Sequence, residues 1–205
     1  MIRKFLSLFK LSLFRIKFRI KNEHNKTFPV SNFPLKCVSV GKKSYGPLNI
    51  IWMAPLSTHL KIGNYCSIGP SVTFLVGGAH NYKRISTYPF QTVVYHEPTR
   101  GSKNLDIIIE DDVWIGFDSL VMSGVRIGKG SVIGARSIVS KDIPPYSIFI
   151  GNKVVKSRFP DEIISKIKMI DFSMISHDEC DEYRQYCQTE IDDNNVDEVL
   201  DSFVK

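Results

Sequence analysis

Between residues 109 and 143, large aliphatic side chains recur at every sixth position: Ile109, Ile115, Val121, Ile127, Ile133 and Val139. Glycine follows three of them, at Gly116, Gly128 and Gly134, and a shorter block of Ile62-Gly63, Ile68-Gly69 and Phe74 keeps the same step. A period of six matches neither the helical repeat of about 3.6 nor the simple alternation of a half-buried strand. It fits a short strand closed by a sharp corner. Two and three residues after the aliphatics come mostly turn formers, among them Asn64, Asp111-Asp112, Asp118, Gly124 and Gly130, which tolerate a tight or left-handed backbone. Four residues after them come small or β-branched side chains (Cys66, Val72, Val113, Ser119, Val125, Ser131), suited to the inside of a narrow corner. Three such sides make a coil of about 18 residues, and stacked coils bond strand to strand as a parallel solenoid.

The register breaks twice. Val40-Gly41 opens an earlier coil, but its distance of 22 residues to Ile62 is no multiple of six, so residues 46–61 are expected to be irregular. From Ile68 to Ile109 is 41 residues, which predicts that residues 74–106 leave the coil and return. An excursion of that length in a compact domain is usually functional. It holds Val76-Gly77-Gly78-Ala79-His80-Asn81 and Ser86-Thr87-Tyr88-Pro89-Phe90. Beyond Pro144-Pro145, one more strand (147–150) and a bend at Gly151-Asn152 precede a helix predicted from Pro160 to about Met169. Three regions follow: an N-terminal extension (1–30), the β-helix domain with its inserted loop (31–158) and a C-terminal helical cap (159–205).

Charge changes the picture at one end only. The chain of 205 residues has a formal charge of +6, yet residues 1–21 hold seven Lys/Arg and no acid, leaving the rest at 20 basic against 21 acidic residues. No general basic surface for nucleic acid is implied. Residues 2–13 fit an amphipathic helix, whereas 14–21 alternate apolar and basic as a strand does. This arm has no uncharged run of the roughly 20 residues a membrane span needs and no signal-peptide pattern. It suits either contact with an anionic membrane surface or packing against the body or a neighbouring copy. The four cysteines (Cys37, Cys66, Cys180, Cys187) show no metal spacing, and reduced thiols in a cytoplasmic, membrane-associated or free protein are expected. Residues 161–205 carry 13 acids against 4 Lys/Arg and read as a solvated cap.

The repeat resembles that of the hexapeptide-repeat acyltransferases, which implies a left-handed parallel β-helix. Acyl transfer to a hydroxyl needs a base for the attacking group, and imidazole titrates in the right range. Of five histidines, His24 and His177 lie in polar terminal stretches and His59 precedes a strand. His80 and His96 lie in the excursion, and Gly77-Gly78, which let the backbone approach a ligand closely, favour His80.

The block from Ile62 through Gly77-Gly78-Ala79-His80 to Ser86-Thr87-Tyr88-Pro89-Phe90 resembles more specifically the xenobiotic acetyltransferase branch, which includes chloramphenicol and streptogramin acetyltransferases and related polysaccharide O-acetyltransferases. The likeness covers residues 31–170. It implies His80 as general base, acetyl-CoA as co-substrate without a metal, and a homotrimer with the cofactor between neighbouring β-helices. The acceptor would enter beside Gly78, Asn81, Ser86 and Tyr88. By the same analogy Gly116, Gly124, Ala135 and Ser140 line the pantetheine arm, Asn152 sits at the cofactor-end bend, and Lys141, Lys153, Lys156 and Arg158 lie where phosphates emerge. Trp114, just before an inward aliphatic, points outward and would flank the thioester. Ala79 stands where relatives often carry asparagine, and Lys153-Val154 stands where they read Pro-Ala.

The resemblance implies acetyl transfer to a hydroxyl of a surface polysaccharide or sugar precursor, with antibiotic or amino-sugar acceptors as the alternative. A metal-dependent β-helix enzyme would need three converging histidines. A non-catalytic β-helix would need neither the His80 loop nor the basic residues at 153–158.

Overall fold

The computed structural model describes residues 2–97, 105–174 and 189–203. Helix α1 (Ile2–Lys21) leads into β1 (Lys26–Pro29), a short turn of 3-10 helix (Leu35–Cys37), β2 (Val38–Val40) and β3 (Tyr45–Met53). One full coil follows as β4 (Leu60–Ile62), β5 (Ser67–Ile68) and β6 (Thr73–Gly77). After an excursion carrying the four-residue α2 (Phe90–Val93), the second coil is β7 (Ile107–Ile109), β8 (Trp114–Ile115) and β9 (Leu120–Met122). The third is β10 (Arg126–Ile127), β11 (Val132–Ile133) and β12 (Ile138–Val139). The antiparallel hairpin β13 (Ser147–Ile150) and β14 (Lys153–Ser157) ends the stack, and α3 (Asp161–Ile167) and α4 (Val196–Phe203) follow.

Pairing sorts the strands onto three parallel faces. Face one stacks β2, β4, β7 and β10; face two stacks β5, β8, β11 and β13; face three stacks the end of β3 with β6, β9 and β12. Every periodic aliphatic pairs with its counterpart one coil away, Ile109 with Ile127, Ile115 with Ile133 and Val121 with Val139. All six are at most 2% exposed, and with Ile62, Ile68 and Phe74 they fill the interior.

The corners show why the sequence accepts this path. The third residue after the aliphatic takes positive φ at seven corners, Tyr65 (56°), Ser71 (62°), Asp112 (57°), Asp118 (56°), Gly124 (81°), Gly130 (67°) and Arg136 (58°), but not at Asp142 after Val139. Asp and Gly suit that region; Tyr65 and Arg136 adopt it because the stacked coil imposes it. The next residue turns inward, and where it is serine the hydroxyl bonds to the neighbouring coil's backbone. Ser119 Oγ donates to the Gly134 carbonyl (3.1 Å), Ser131 Oγ to that of Pro144 (2.9 Å), and Ser137 Oγ accepts from the Gly151 N–H (3.0 Å). Buried hydroxyls are thereby satisfied, as burial demands.

Four expectations change. Residues 46–61 include most of a nine-residue strand, β3, which starts on face two and ends on face three; Gly46 (φ 115°) permits the crossing, because a Cβ there would lie 2.1 Å from the Ile68 carbonyl oxygen. The excursion starts after Gly77, because β6 stays paired with β3 and β9 as far as the sheet allows. Residues 26–29, within the expected extension, form β1 in parallel register with β3. Residues 14–21 continue the helix of α1 rather than forming a strand, because Phe14 and Phe18, four apart, both meet the Phe33 ring edge-to-face at 5.0 and 6.1 Å.

At the far end, Tyr146, Ile163, Ile167 and Val196 form a second small core. From it residues 168–174 run back along the corner between faces one and two. Lys129 Nζ donates to the carbonyls of Lys168 (3.1 Å) and Ile170, Phe172 packs on Tyr65 at 5.9 Å, and Lys42 Nζ donates to the Ser173 carbonyl.

Candidate active site

His80 stands three residues past the end of β6, on the corner where face three gives way to the excursion. Two left-handed glycines, Gly77 (φ 91°) and Gly78 (φ 84°), turn the chain out of the coil. The Gly77 N–H donates to Ser123 Oγ, and Ser123 Oγ donates to the Leu75 carbonyl at 3.0 Å. The root of the loop is thus hooked to the corner one coil further on. A Cβ at Gly77 would lie 2.7 Å from the Met53 backbone carbon, and one at Gly78 would lie 2.5 Å from Met53 Cε.

Among the described residues the exposed imidazole of His80 bonds the Thr87 carbonyl, 2.8 Å from Nδ1. A carbonyl oxygen only accepts, so Nδ1 carries the proton in the neutral ring and Nε2 keeps its lone pair. The loop's other polar side chains hold its own shape. Asn81 Oδ1 accepts from the Lys83 N–H (3.0 Å), Ser86 Oγ from the Tyr88 N–H (3.1 Å), and the Tyr88 ring meets Phe90 at 4.8 Å. Gly78, His80, Asn81, Ser86 and Tyr88 therefore share one loop as expected. His96 follows α2 with a left-handed backbone (φ 53°). His24 bonds the Val40 carbonyl at 2.8 Å, His59 pairs with Asp106 at 3.8 Å, and His177 lies outside the described residues.

The residues assigned to a cofactor fall on two different corners. Gly124 and then Ser140-Lys141 lie below the His80 loop, where face three meets face one. Gly116, Ala135 and Asn152 lie where face two meets face three, with Trp114, 55% exposed, on face two beside them. A Cβ at Gly116 would come 2.7 Å from the Ala135 nitrogen, so these two stack directly. Lys141, Lys153 and Lys156 are exposed, and none pairs with a carboxylate among the described residues. Arg158 is engaged elsewhere: Nη1 donates to the Gly130 carbonyl (2.6 Å) and to Asp112 Oδ2 (3.3 Å), and the guanidinium lies over Phe159. Burial pushes the Asp112 carboxyl up, and Arg158 opposes that shift.

Burial pushes the Cys66 thiol up to about 12, so it holds no thiolate near neutrality. Cys37 is also buried, and Cys180 and Cys187 lie outside the described residues. No three His, Cys, Asp or Glu side chains converge as a metal site among the described residues. Sequence reasoning missed Ser123, Met53 and the Thr87 carbonyl. Only Ser123, at a corner position beside Gly124, carried any signal.

The bacterial transferase hexapeptide (six repeats) family matches residues 106–141. The chain is 44% identical over 116 residues to a chloramphenicol acetyltransferase of Klebsiella aerogenes, covering 52% of this chain and 55% of that protein. It is 37% identical over 126 residues to a probable macrolide acetyltransferase of Lysinibacillus sphaericus, covering 55% of this chain and 68% of that one. The chain belongs to the hexapeptide-repeat acyltransferases. It spans about half the length of the chloramphenicol acetyltransferases it matches. Within the same acyltransferase family, a galactoside O-acetyltransferase of Lactococcus lactis is 33% identical over 148 residues, covering 72% of this chain and 61% of that one. A solved hexapeptide-repeat acetyltransferase of Vibrio cholerae shares the fold, with a TM-score of 0.50, 27% identity, and 68% and 76% of the two chains covered.

Proposed function

We propose that this left-handed β-helix transfers an acetyl group from acetyl-CoA to a hydroxyl of a surface polysaccharide or its sugar precursor, with His80 as general base. The observation that carries the proposal is the His80 Nδ1–Thr87 carbonyl bond, which leaves Nε2 as a fixed proton acceptor on an exposed loop. His80 Nε2 takes the proton of the acceptor hydroxyl as its oxygen forms the new ester bond. The same nitrogen returns that proton to the sulfur released when the thioester bond breaks. A positioned base contributes roughly 10²–10⁴-fold. Acetyl-CoA supplies the acetyl carbon and a thiol leaving group.

The residues present suit that co-substrate. Exposed Lys153 and Lys156 on β14 match phosphates, and the close-stacked Gly116 and Ala135 give an extended arm access to backbone. Trp114, Gly116, Ala135 and Asn152 would hold it from one corner, and Gly124, Ser140 and Lys141 from the other. These corners flank a whole face, so one groove using both takes a corner from each of two copies. A cyclic assembly would close with equal grooves, and the resemblance to the hexapeptide-repeat acyltransferases makes that assembly a homotrimer in this reading.

A sugar acceptor is supported by the galactoside relative, which matches the larger part of this chain. A second reading, acetylation of an antibiotic or an amino sugar, draws its antibiotic arm from the chloramphenicol and probable macrolide acetyltransferases of higher identity. Thiol release from acetyl-CoA, measured for wild type and His80→Ala on surface glycans, amino sugars and chloramphenicol, tests both. Turnover on a glycan, lost in the variant while acetyl-CoA still binds, supports the proposal. Turnover on chloramphenicol alone selects the second reading, and normal turnover by the variant removes His80 as the base.

A further inference from the structure

Helix α1 has two apolar faces, and the body uses only one. Leu11, Phe14 and Phe18 turn inward; Phe18 is 1% exposed, and both phenylalanines pack on Phe33. On the opposite side Phe9, Leu13, Ile16 and Ile20, spaced by four, three and four residues, form a single stripe. All four are exposed, from 45% at Leu13 to 67% at Ile20. Lys10, Lys17 and Lys21 form an exposed row along one flank of that stripe.

The other flank fixes the helix in rotation. Arg15 Nε donates to the Pro29 carbonyl at 2.8 Å, and Arg19 donates to the carbonyls of Asn22, Asn25 and Thr27. With two rings on one side and two guanidinium anchors beside them, α1 cannot roll to hide its outer stripe.

We propose that this outer face seats α1 on an anionic lipid surface, parallel to the membrane plane. Apolar side chains flanked by cations are the pattern an interfacial helix needs: the stripe enters the headgroup boundary while the lysines reach phosphates. Charge selects this occupant. Residues 1–21 contain no acid, so a second copy of the helix would bring like charges together, whereas anionic lipid complements them. Among the described residues no helix is long and apolar enough to cross a membrane. The inference is independent of the reaction proposed above.

The experiment is co-sedimentation of the full chain with phosphatidylcholine vesicles, with and without phosphatidylglycerol. Wild type is expected to pellet with the anionic vesicles only, and less so as salt rises. Replacing Lys10, Lys17 and Lys21 by glutamine should weaken binding roughly 100-fold, and Phe9→Ser with Ile16→Ser and Ile20→Ser should abolish it. A separate Phe9→Trp variant should gain blue-shifted emission on anionic vesicles, a readout that survives if the triple variants fold poorly. The proposal is overturned if wild type stays in the supernatant at low salt. It is equally overturned if the Phe9→Trp emission does not shift, or if the serine variant changes the oligomeric mass in sedimentation velocity, which would make the stripe a contact between copies.

Discussion

Across six intervening loop residues, His80 Nδ1 donates to the backbone carbonyl of Thr87 at 2.8 Å, and this bond sets the tautomer of the ring. Asparagine can mimic the Nδ1 donor but has no basic Nε2. His80→Asn should therefore keep the loop and acetyl-CoA binding while kcat falls by roughly 10²–10⁴. Steady-state thiol release together with calorimetric acetyl-CoA binding checks this; a variant retaining most of its kcat would place the base elsewhere.

The two glycines at the loop root differ in what they touch. At Gly77 a Cβ meets Met53 backbone, whereas at Gly78 it meets the mobile end of the Met53 side chain. Gly77→Ala should cost about 1–3 kcal/mol from positive φ, plus displacement of β3, and lower activity with it. Gly78→Ala should bear mainly the φ cost. Urea unfolding of the two variants, ranked against each other, is the measurement.

Cys66 ties stability to alkaline pH. Its thiol is raised from 9.0 to about 12 by burial. A raised folded value means its stabilising contribution is complete below the unfolded value and is lost as pH climbs from about 9 toward 12. The loss from this group is about 1.4 kcal/mol per pH unit. Cys66→Ala should flatten the fall in unfolding free energy above pH 9, whatever its offset at pH 7. An unchanged slope would show that another group governs it.

Arg158 and the two lysines of β14 should separate cleanly. Arg158→Ala leaves Asp112 without its partner, costing about 1 kcal/mol given the partial exposure of both groups. Because burial already raises the Asp112 carboxyl, the penalty should be largest near neutrality and shrink on acidification as the carboxyl protonates. Acetyl-CoA affinity should barely change. Lys153→Ala and Lys156→Ala should do the reverse, weakening acetyl-CoA about tenfold without weakening acetyl-pantetheine, which lacks the phosphates.

The coil was legible because its period is enforced at every corner. From Ile109 through Ile133 the third residue after the aliphatic is left-handed, and the fourth is buried and small or β-branched, so composition at those positions reports geometry directly. β3 was hidden because Gly46-Pro47 looks like a break in a strand, whereas here it lets one strand round a corner. α1 misled for a clearer reason. A helix with apolar stripes on opposite sides places Phe14, Ile16, Phe18 and Ile20 alternately inward and outward, and along the sequence that imitates a strand's alternation. The His80 loop was legible from its glycines, but the Thr87 carbonyl carries no residue-type signal. The swing of Arg158 to Asp112, 46 residues away, depends on coil stacking.

A solenoid whose coils touch only their neighbours can unzip from either end, one rung at a time. Residues 168–174 oppose that here. Through Lys129, Tyr65 and Lys42 they grip the third coil, the first coil and the turn before it. Loosening the N-terminal rungs thus also strips contacts anchored at the C-terminal end, so the stack is bound to melt as one block rather than fray toward the His80 loop.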